Sequence, residues 1–127
     1  MTKYSSCQHT FVLFTFLTCS LLWTTGCSSK ANPALYGKWK LEKITVNFAN
    51  GTHDEQPGGK VIEFRKDGTY VEGEKNGRAG KYEFVDPQRL KIQIDGLAGE
   101  PKIILQGDTL DICNPDGTTI EHYRRLQ

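Results

Sequence analysis

Several residue types are missing from long stretches of this 127-residue chain. No serine follows Ser29, so residues 30–127 contain no serine nucleophile, which excludes serine hydrolase chemistry. No acidic residue occurs among the first 26 residues, and beyond Cys27 the sole cysteine is Cys113. No segment keeps a helical periodicity of apolar residues, which argues against a helical domain. At this length the chain has room for one domain.

The first 26 residues differ in composition from the rest. Lys3 is followed by an apolar run at 11–23 and then by small residues, which is the layout of a secretory signal peptide. A transmembrane helix needs about 20 apolar residues, and this run is shorter. We therefore predict that residues 1–26 are a signal peptide that is removed on export.

The end of that segment resembles the lipobox of bacterial lipoproteins, in which Gly or Ala precedes a cysteine. Gly26 and Cys27 fit the pattern, whereas Thr24 stands where the family usually carries Leu, Val or Ile. The resemblance implies that diacylglycerol and acyl chains such as palmitate are attached to Cys27 and anchor the protein in the cell envelope. Because Ser28 and not Asp follows, it also implies the outer membrane of a Gram-negative bacterium. A rival cleavage after Ala31 satisfies the small-x-small rule and would give a free secreted protein.

Cysteine usage limits the disulfides that can form. Cys7 and Cys19 leave with the signal peptide and acylation would occupy Cys27, so Cys113 would stand alone. Without acylation, an oxidising compartment could pair Cys27 with Cys113. No catalytic partner is recognised for Cys113, which we interpret as an ordinary strand thiol.

The charges beyond residue 26 balance. Of 16 basic residues only Lys3 precedes residue 27, so 15 remain against 15 acidic residues. Nucleic acids and anionic lipids attract proteins that carry basic patches. The even mixture therefore argues against binding of nucleic acids and of acidic lipids. We also expect a monomer.

Short alternating runs and frequent turns make up the rest of the chain. Residues 27–35 are predicted to be a lipidated tether and residues 36–127 one domain. Eight runs with a period of two are separated by turn residues about every ten positions, which is typical of an all-β fold. The runs lie near 36–46, 60–65, 69–75, 79–85, 89–95, 101–106, 109–113 and 118–125. Tight connections predict an eight-stranded antiparallel up-and-down meander that forms a small closed or nearly closed barrel.

The last predicted hairpin has a turn sequence that indicates a register. Residues 114–117, Asn-Pro-Asp-Gly, suit a type I turn followed by a glycine bulge. That three-residue loop would pair Asn114 with Thr118, which places Cys113 and His122 on opposite faces of the sheet. A Cys–His dyad is therefore disfavoured.

The first run opens on a motif of a known family. Gly37 and Trp39 are similar to the GxW motif of lipocalins and of shorter lipocalin-like domains in bacterial lipoproteins. Further phrases similar to those bacterial domains are residues 64–70, 80–82 and 107–113. The resemblance spans 36–125 and implies a lipocalin-like barrel in which Trp39 plugs the closed end and Arg124 packs across it. The chain is shorter than ligand-carrying lipocalins and lacks their second motif, and no C-terminal helix is predicted.

The domain offers few residues for chemistry. His53 and the two acidic residues after it lie in a Gly-rich segment, 47–59, which we interpret as a solvated loop and not as a metal site, because zinc sites need three or four ligands at defined spacings. This loop resembles the large first loop that covers the mouth of a lipocalin barrel, and the alternative is a plain surface loop. Glu72 and Glu74 lie among Gly and Lys, as expected for a solvated surface. We therefore predict no catalytic residue, no cofactor and no metal ligand, so the protein is not expected to be an enzyme.

The alternation also predicts which residues face the barrel interior. They are bulky throughout, which predicts a filled core and not a ligand cavity. The set comprises Trp39, Leu41, Ile62, Phe64, Tyr70, Tyr82, Phe84, Leu90, Ile92, Ile94, Ile103, Leu105, Leu110, Ile112 and Ile120. We expect a membrane-anchored envelope protein with a non-catalytic structural or interaction role toward another envelope protein. The alternative hypothesis is a binding protein for a small hydrophobic ligand inside the barrel.

Overall fold

The computed structural model describes residues 30–127, which fold into one 3-10 turn and ten β-strands. The predicted signal peptide and Cys27 lie outside the described residues. The 3-10 turn is Pro33–Leu35, and the strands are β1 (Gly37–Asn47), β2 (His53–Pro57), β3 (Val61–Phe64), β4 (Thr69–Glu72), β5 (Arg78–Asp86), β6 (Arg89–Ile94), β7 (Leu97–Gly99), β8 (Lys102–Gln106), β9 (Thr109–Cys113) and β10 (Thr119–Arg125).

Eight of the strands close into an antiparallel barrel. Around the ring the order is β1, β3, β4, β5, β6, β8, β9 and β10, and β10 pairs with β1 to complete the closure. These strands match the eight predicted runs, so the prediction of an all-β barrel is confirmed. Because every strand of the ring has two neighbours, closure removes the open edges that an eight-stranded sheet would otherwise expose.

Two further strands lie in segments that we predicted as connections. β2 occupies part of the predicted loop 47–59, and β7 occupies part of the connection between the predicted runs 89–95 and 101–106, so both predictions are wrong at these residues. β1 has eleven residues and β3 only four, so the far half of β1 needs another backbone partner, which β2 supplies. Gly58 allows the step from β2 to β3, because a Cβ there would stand 2.1 Å from the Leu41 carbonyl oxygen.

The turns between strands define two ends of the barrel. We call closed the end that carries the turn Pro33–Leu35, the start of β1 and the β3–β4, β5–β6 and β8–β9 turns. The opposite, open end carries the β1–β2, β4–β5, β6–β7 and β9–β10 turns. This alternation follows from antiparallel pairing of consecutive strands.

One cluster of buried side chains lies inside the barrel and includes Leu35 and Trp39 at the closed end. Of the residues predicted to face inward, Ile120 alone is neither part of this core nor packed against it. Phe64 is central, with its ring centroid 5.2 Å from that of Tyr70 and 5.1 Å from that of Tyr82. Leu35 and Tyr123 were not predicted inward, yet they are 0% and 1% exposed.

The β9–β10 hairpin turns through four residues, and not through the three that the sequence predicted. Asp116 accepts hydrogen bonds from the backbone N–H and the hydroxyl of Thr118, at 2.9 and 2.8 Å, which hold Thr118 in the turn. Asn114 therefore pairs with Thr119, whose N–H donates to Asn114 Oδ1 at 2.8 Å. The predicted pairing of Asn114 with Thr118 is wrong by one residue.

This shift exchanges the two faces of β10. Ile120 lies opposite Cys113, and Tyr123 lies opposite Leu110. Since a shift of one residue moves each side chain to the other face, Ile120 points outward and Tyr123 inward. Cys113 and His122 consequently share the outer face, which contradicts the prediction that they point apart.

Candidate functional site

Trp39 and Arg125 meet at the closed end. Trp39 is fully buried, and its indole Nε1–H donates to the backbone oxygen of Leu35 at 2.9 Å. The guanidinium carbon of Arg125 lies 4.1 Å from the Trp39 ring centroid, and Arg125 Nη1 donates to the Tyr36 carbonyl at 2.9 Å. The result is a cation–π contact in which backbone oxygens hold the cation in place.

The sequence analysis assigned this position to Arg124. That assignment is wrong, because Trp39 pairs with Arg125 in the β1–β10 ladder, while Arg124 pairs with Lys40 and points outward. There Arg124 Nε lies 2.6 Å from Glu42 Oε1, and 58% of the Arg124 side chain is exposed. The four-residue turn that shifts β10 explains the difference.

The segment before β1 is attached to the same end. In the turn Pro33–Leu35, the Asn32 side chain accepts a hydrogen bond from Ala34 N–H at 3.3 Å, and Arg125 Nη2 donates to the Ala34 carbonyl. Leu35 is completely buried. The folded domain therefore includes Leu35, which the sequence analysis placed in the tether.

A polar cluster occupies the barrel interior on the open side of the core. Tyr70 donates its hydroxyl to Glu72 at 3.3 Å, and Tyr123 donates to Glu121 at 2.6 Å. Lys60 Nζ lies 3.2 Å from one oxygen of each carboxylate. We name these five residues the mouth cluster. It links β4 to β10, which are separated in the ring by β3 and β1.

Arg78 extends the mouth cluster to the rim. Its guanidinium lies 2.6 Å from Glu72 Oε2 and 3.1 Å from Asp95 Oδ2. Burial alone would raise the pKa of Glu72, but the hydrogen bond from Arg78 and the charge of Lys60 outweigh it and hold that pKa below its ordinary value. The Glu72 side chain is only 18% exposed, so the prediction of a solvated surface is wrong for Glu72.

The two tyrosines of the mouth cluster remain protonated at neutral pH. Burial raises the pKa of Tyr70 and of Tyr123, and the neighbouring carboxylates Glu72 and Glu121 raise both further. Neither hydroxyl can therefore serve as a base. Within residues 30–127 no buried side-chain nitrogen or oxygen lacks a hydrogen-bond partner, and this includes the buried polar atoms of the mouth cluster.

On the outer face, His122 links β9 to β1. Its Nδ1 lies 2.8 Å from Asp111 Oδ1 and its Nε2 lies 3.0 Å from Thr45 Oγ1. This order of hydroxyl, imidazole and carboxylate is the one that activates nucleophiles. However, β1 is paired on both sides of Thr45, so the ladders use the N–H groups that would have to stabilise an oxyanion. We interpret the three residues as a cross-strand link.

Cys113 shares that face without joining the link. Both ring nitrogens of His122 have other partners, so the structure forms no Cys–His dyad. Burial raises the pKa of the Cys113 thiol, which disfavours the reactive thiolate. Catalysis by this cysteine has no support in the geometry.

Two hollows lie on the outer surface around β5 and β6, with volumes of about 380 and 410 Å³. Lys81 and Gln93 line both of them. Small-molecule pockets are typically concave sites with apolar walls and a few converging polar groups. The first hollow is bordered mainly by polar side chains, and the apolar part of the second is formed by residues such as Leu97 and Ala98 that lie exposed on the surface. They are weaker candidates than the barrel mouth.

Two searches of the described residues give negative results. No group of three or more His, Cys, Asp or Glu side chains in residues 30–127 is arranged to hold a metal ion. Over the same range, no helix has the length and apolar character needed to cross a bilayer. His53, with the acidic residues after it, lies exposed on β2.

Comparison with known proteins finds relatives in structure alone. No family model matches the chain, and no curated protein matches it in sequence. It is similar to a lipocalin-like protein from Bacteroides uniformis ATCC 8492, with a TM-score of 0.57 and 17% identity over 73% of this chain and 99% of that one. It is also similar to an uncharacterized protein from Bacteroides eggerthii DSM 20697, with a TM-score of 0.56 and 15% identity over 72% and 99%.

These matches define the class of fold. The domain is a lipocalin-like barrel, as its sequence motifs predicted. At such low identity the likeness concerns the fold, and one fold hosts many functions. What this particular barrel does must therefore be argued from its own residues.

Sequence reasoning missed most of the mouth cluster. The sequence analysis predicted that Tyr70 points inward, but it predicted no inward position for Lys60, Glu72 or Glu121. Because it placed Ile120 inward, its register for β10 put Tyr123 on the outer face. One signal was present: β10 carries an aromatic residue, Tyr123, among charged neighbours, and burying it requires the four-residue turn.

Proposed function

We propose that this chain is a lipid-anchored protein of the cell envelope that acts by binding and not by catalysis, through its open end and outer surface. The observation that carries the proposal is the mouth cluster, in which Lys60 joins Glu72 and Glu121 next to the buried core. A barrel whose open side is bridged by these ion pairs is a rigid platform. The turns at its open end are then the segments free to contact a partner.

The mouth cluster argues against an apolar cargo deep in the barrel. Such a ligand would have to separate Lys60 from Glu72 and Glu121, and would leave partly buried charges without partners. Removing one partner of a buried ion pair costs about 3–5 kcal/mol, and these half-buried pairs would cost a part of that. An apolar ligand small enough to fit would gain little in return.

The anchoring part of the proposal rests on the sequence Gly26-Cys27 after the apolar run. Acylation of Cys27 would tie a monomeric domain to the membrane by a short tether, and Ser28 favours the outer membrane of a Gram-negative host. A second envelope protein is the partner that such a location would provide.

The anchor is tested by the intact mass of protein extracted from membranes of the native host. We expect a diacylated or triacylated N-terminus at Cys27, and a Cys27→Ser variant that is released or retained as precursor. Cys113→Ser is the matched control and should remain acylated and membrane-bound. A mature protein that begins at Asn32 would contradict the anchor.

A second candidate function is the binding of a small hydrophobic ligand near the mouth. Partly buried aliphatic side chains, Ile44, Ile92 and Ile94, pack against the core and favour it. Native mass spectrometry of the host-purified protein separates the two candidates. A stoichiometric lipid-like ligand that is lost in an Ile94→Trp variant, but kept in an outward-facing Ile104→Trp control, would favour this second function over the first.

A further inference from the structure

Charge is evenly mixed along the sequence but is separated along the barrel axis. At the closed end four basic residues are neutralised in ion pairs, Arg65–Glu63, Arg89–Asp86, Arg124–Glu42 and Arg125–Asp108. Among the described residues, those of the closed end outside these pairs are Lys30, Lys38, Lys40, Lys66 and Asp67. Four lysines minus one aspartate leave this end with a net charge of +3.

The open end has the opposite charge. Lys43 and Glu55 cancel, and the network of Lys60 and Arg78 with Glu72, Glu121 and Asp95 has two cations and three anions, hence −1. Outside ion pairs, the described charges at this end are Asp54, Glu74, Asp116 and Lys75, which sum to −2. The open end therefore carries a net charge of −3.

The remaining charges lie at mid-barrel and cancel. They are Lys81, Lys91, Lys102, Glu83, Glu100 and Asp111. Together the three zones account for 15 basic and 15 acidic residues, so the domain is neutral but strongly dipolar. A sequence-level count cannot reveal this, because residues of one end come from turns that are far apart in the chain.

The tether leaves from the positive end. Leu35 is buried there, and Arg125 donates to the carbonyls of Ala34 and Tyr36, so the exit point is fixed. Cys27 precedes Pro33 by six residues, a reach of about 20 Å when extended. A lipid on Cys27 therefore brings the lysine-bearing end to the bilayer first.

We propose that the closed end of the barrel docks on an anionic lipid surface and that the open end, with the mouth cluster, faces away from the membrane. This orientation rests on the proposed lipid anchor. Lysines within a Debye length of about 8 Å from anionic headgroups are attracted, and each strengthens surface binding about fivefold. The acidic open end is repelled by the same surface. The anchor and the charge separation thus favour one orientation.

The test measures which end lies near lipid in the acylated protein, purified from membranes and reconstituted in vesicles. In a Cys113→Ser background, an environment-sensitive dye is attached at Gln88→Cys, in the closed-end β5–β6 turn, or at Ala49→Cys, in the open-end β1–β2 turn. Both positions are exposed. Vesicles contain phosphatidylcholine alone or with about one-third phosphatidylglycerol, and the quencher is a nitroxide-labelled lipid.

We expect quenching at position 88 to exceed that at position 49 by about threefold or more in anionic vesicles, and the contrast to shrink at about 1 M salt, where the Debye length is about 3 Å. The double variant Lys38→Gln, Lys66→Gln should reduce the contrast. The matched mid-barrel pair Lys81→Gln, Lys91→Gln should leave it unchanged.

Three outcomes contradict the proposal. Equal quenching at both positions of an acylated, membrane-bound protein overturns the orientation and leaves the anchor intact. Equal contrast in neutral and anionic vesicles overturns the role of charge. A preparation whose Cys27 carries no lipid contradicts the proposed function itself, and the orientation with it.

Discussion

The guanidinium of Arg125 lies over the indole of Trp39, 4.1 Å from the ring centroid, while the preceding residue, Arg124, forms an exposed ion pair with Glu42. Two adjacent arginines of one strand thus serve opposite faces of the barrel. The inclusion of Thr118 in the β9–β10 turn decides which of them covers the tryptophan, because it sets the register of β10. That turn lies at the other end of β10, about 20 Å away at a rise of about 3.3 Å per residue.

The first prediction compares these two arginines. Arg125→Ala removes the cation–π contact and the hydrogen bonds to Ala34 and Tyr36, so we expect the free energy of unfolding to fall by about 2–3 kcal/mol. Arg124→Ala should leave it nearly unchanged, since exposed ion pairs contribute little. Urea unfolding of both variants measures the difference. Equal losses would contradict the assignment of Arg125.

Trp39 itself should be essential for stability. Its side chain is fully buried against Leu35 and Arg125, and truncating a buried large aromatic costs about 3–5 kcal/mol. For a domain of this size that approaches the whole stability. We expect Trp39→Ala to unfold at physiological temperature in a calorimetric scan. A melting temperature within a few degrees of wild type would contradict this packing.

Leu35 tests where the folded domain begins. It is completely buried although the sequence places it in the tether, so Leu35→Ala should destabilise the domain by about 2–4 kcal/mol. Leu126→Ala is the matched control, because Leu126 is 37% exposed at the other terminus and its loss should cost under about 1 kcal/mol. Similar denaturation midpoints for the two variants would show that the turn Pro33–Leu35 adds no stability.

The register of β10 can be tested by a disulfide. Cys113 lies opposite Ile120 in a pair without ladder hydrogen bonds, where Cα atoms are about 4.5 Å apart, close enough for a disulfide. In a Cys27→Ser background, Ile120→Cys should therefore oxidise to an intramolecular disulfide with Cys113. In the register that the sequence predicted, residue 119 would lie opposite Cys113, and Thr119→Cys would form that disulfide. In the register of the structure, Thr119→Cys should not form it. Mass spectrometry of the oxidised proteins distinguishes the two.

Much of the fold was predictable because strand alternation and turn residues are local signals. Eight tightly connected runs predicted a meander that is closed or nearly closed, and Trp39 was recognised from its motif. The errors at Arg124, Ile120 and Tyr123 share one cause. Whether Thr118 belongs to the turn or to the strand depends on its hydrogen bonds to the Asp116 side chain. Ile120 and Tyr123 lie on opposite faces of β10, so either register buries one of them, and the apolar pattern alone does not select the register.

The mouth cluster was not predictable for a different reason. Lys60, just before β3, Glu72 in β4 and Glu121 in β10 are charged residues far apart in the chain, and nothing in the sequence spacing indicates that they meet inside the barrel. Charged residues are normally assigned to the surface, and each of these would be costly to bury alone. Their burial becomes favourable only when the three charges pair with one another. The closed ring brings them together, and no single segment of the sequence does so.

The last prediction concerns the pH dependence of stability and Glu72. Arg78 and Lys60 hold the pKa of Glu72 below its ordinary value, although burial opposes them. The folded state therefore binds fewer protons at this site than the unfolded chain, whose glutamates titrate near about 4.3. The stabilisation is present above that pH and is lost as the pH falls through the lower folded-state pKa. Urea midpoints measured from pH 7 to about pH 3 should therefore decline less steeply in Glu72→Gln than in wild type. Glu74→Gln, at an exposed position two residues away, should keep the wild-type slope, and an equal slope in Glu72→Gln would show that the ion pairs at the mouth contribute no stability.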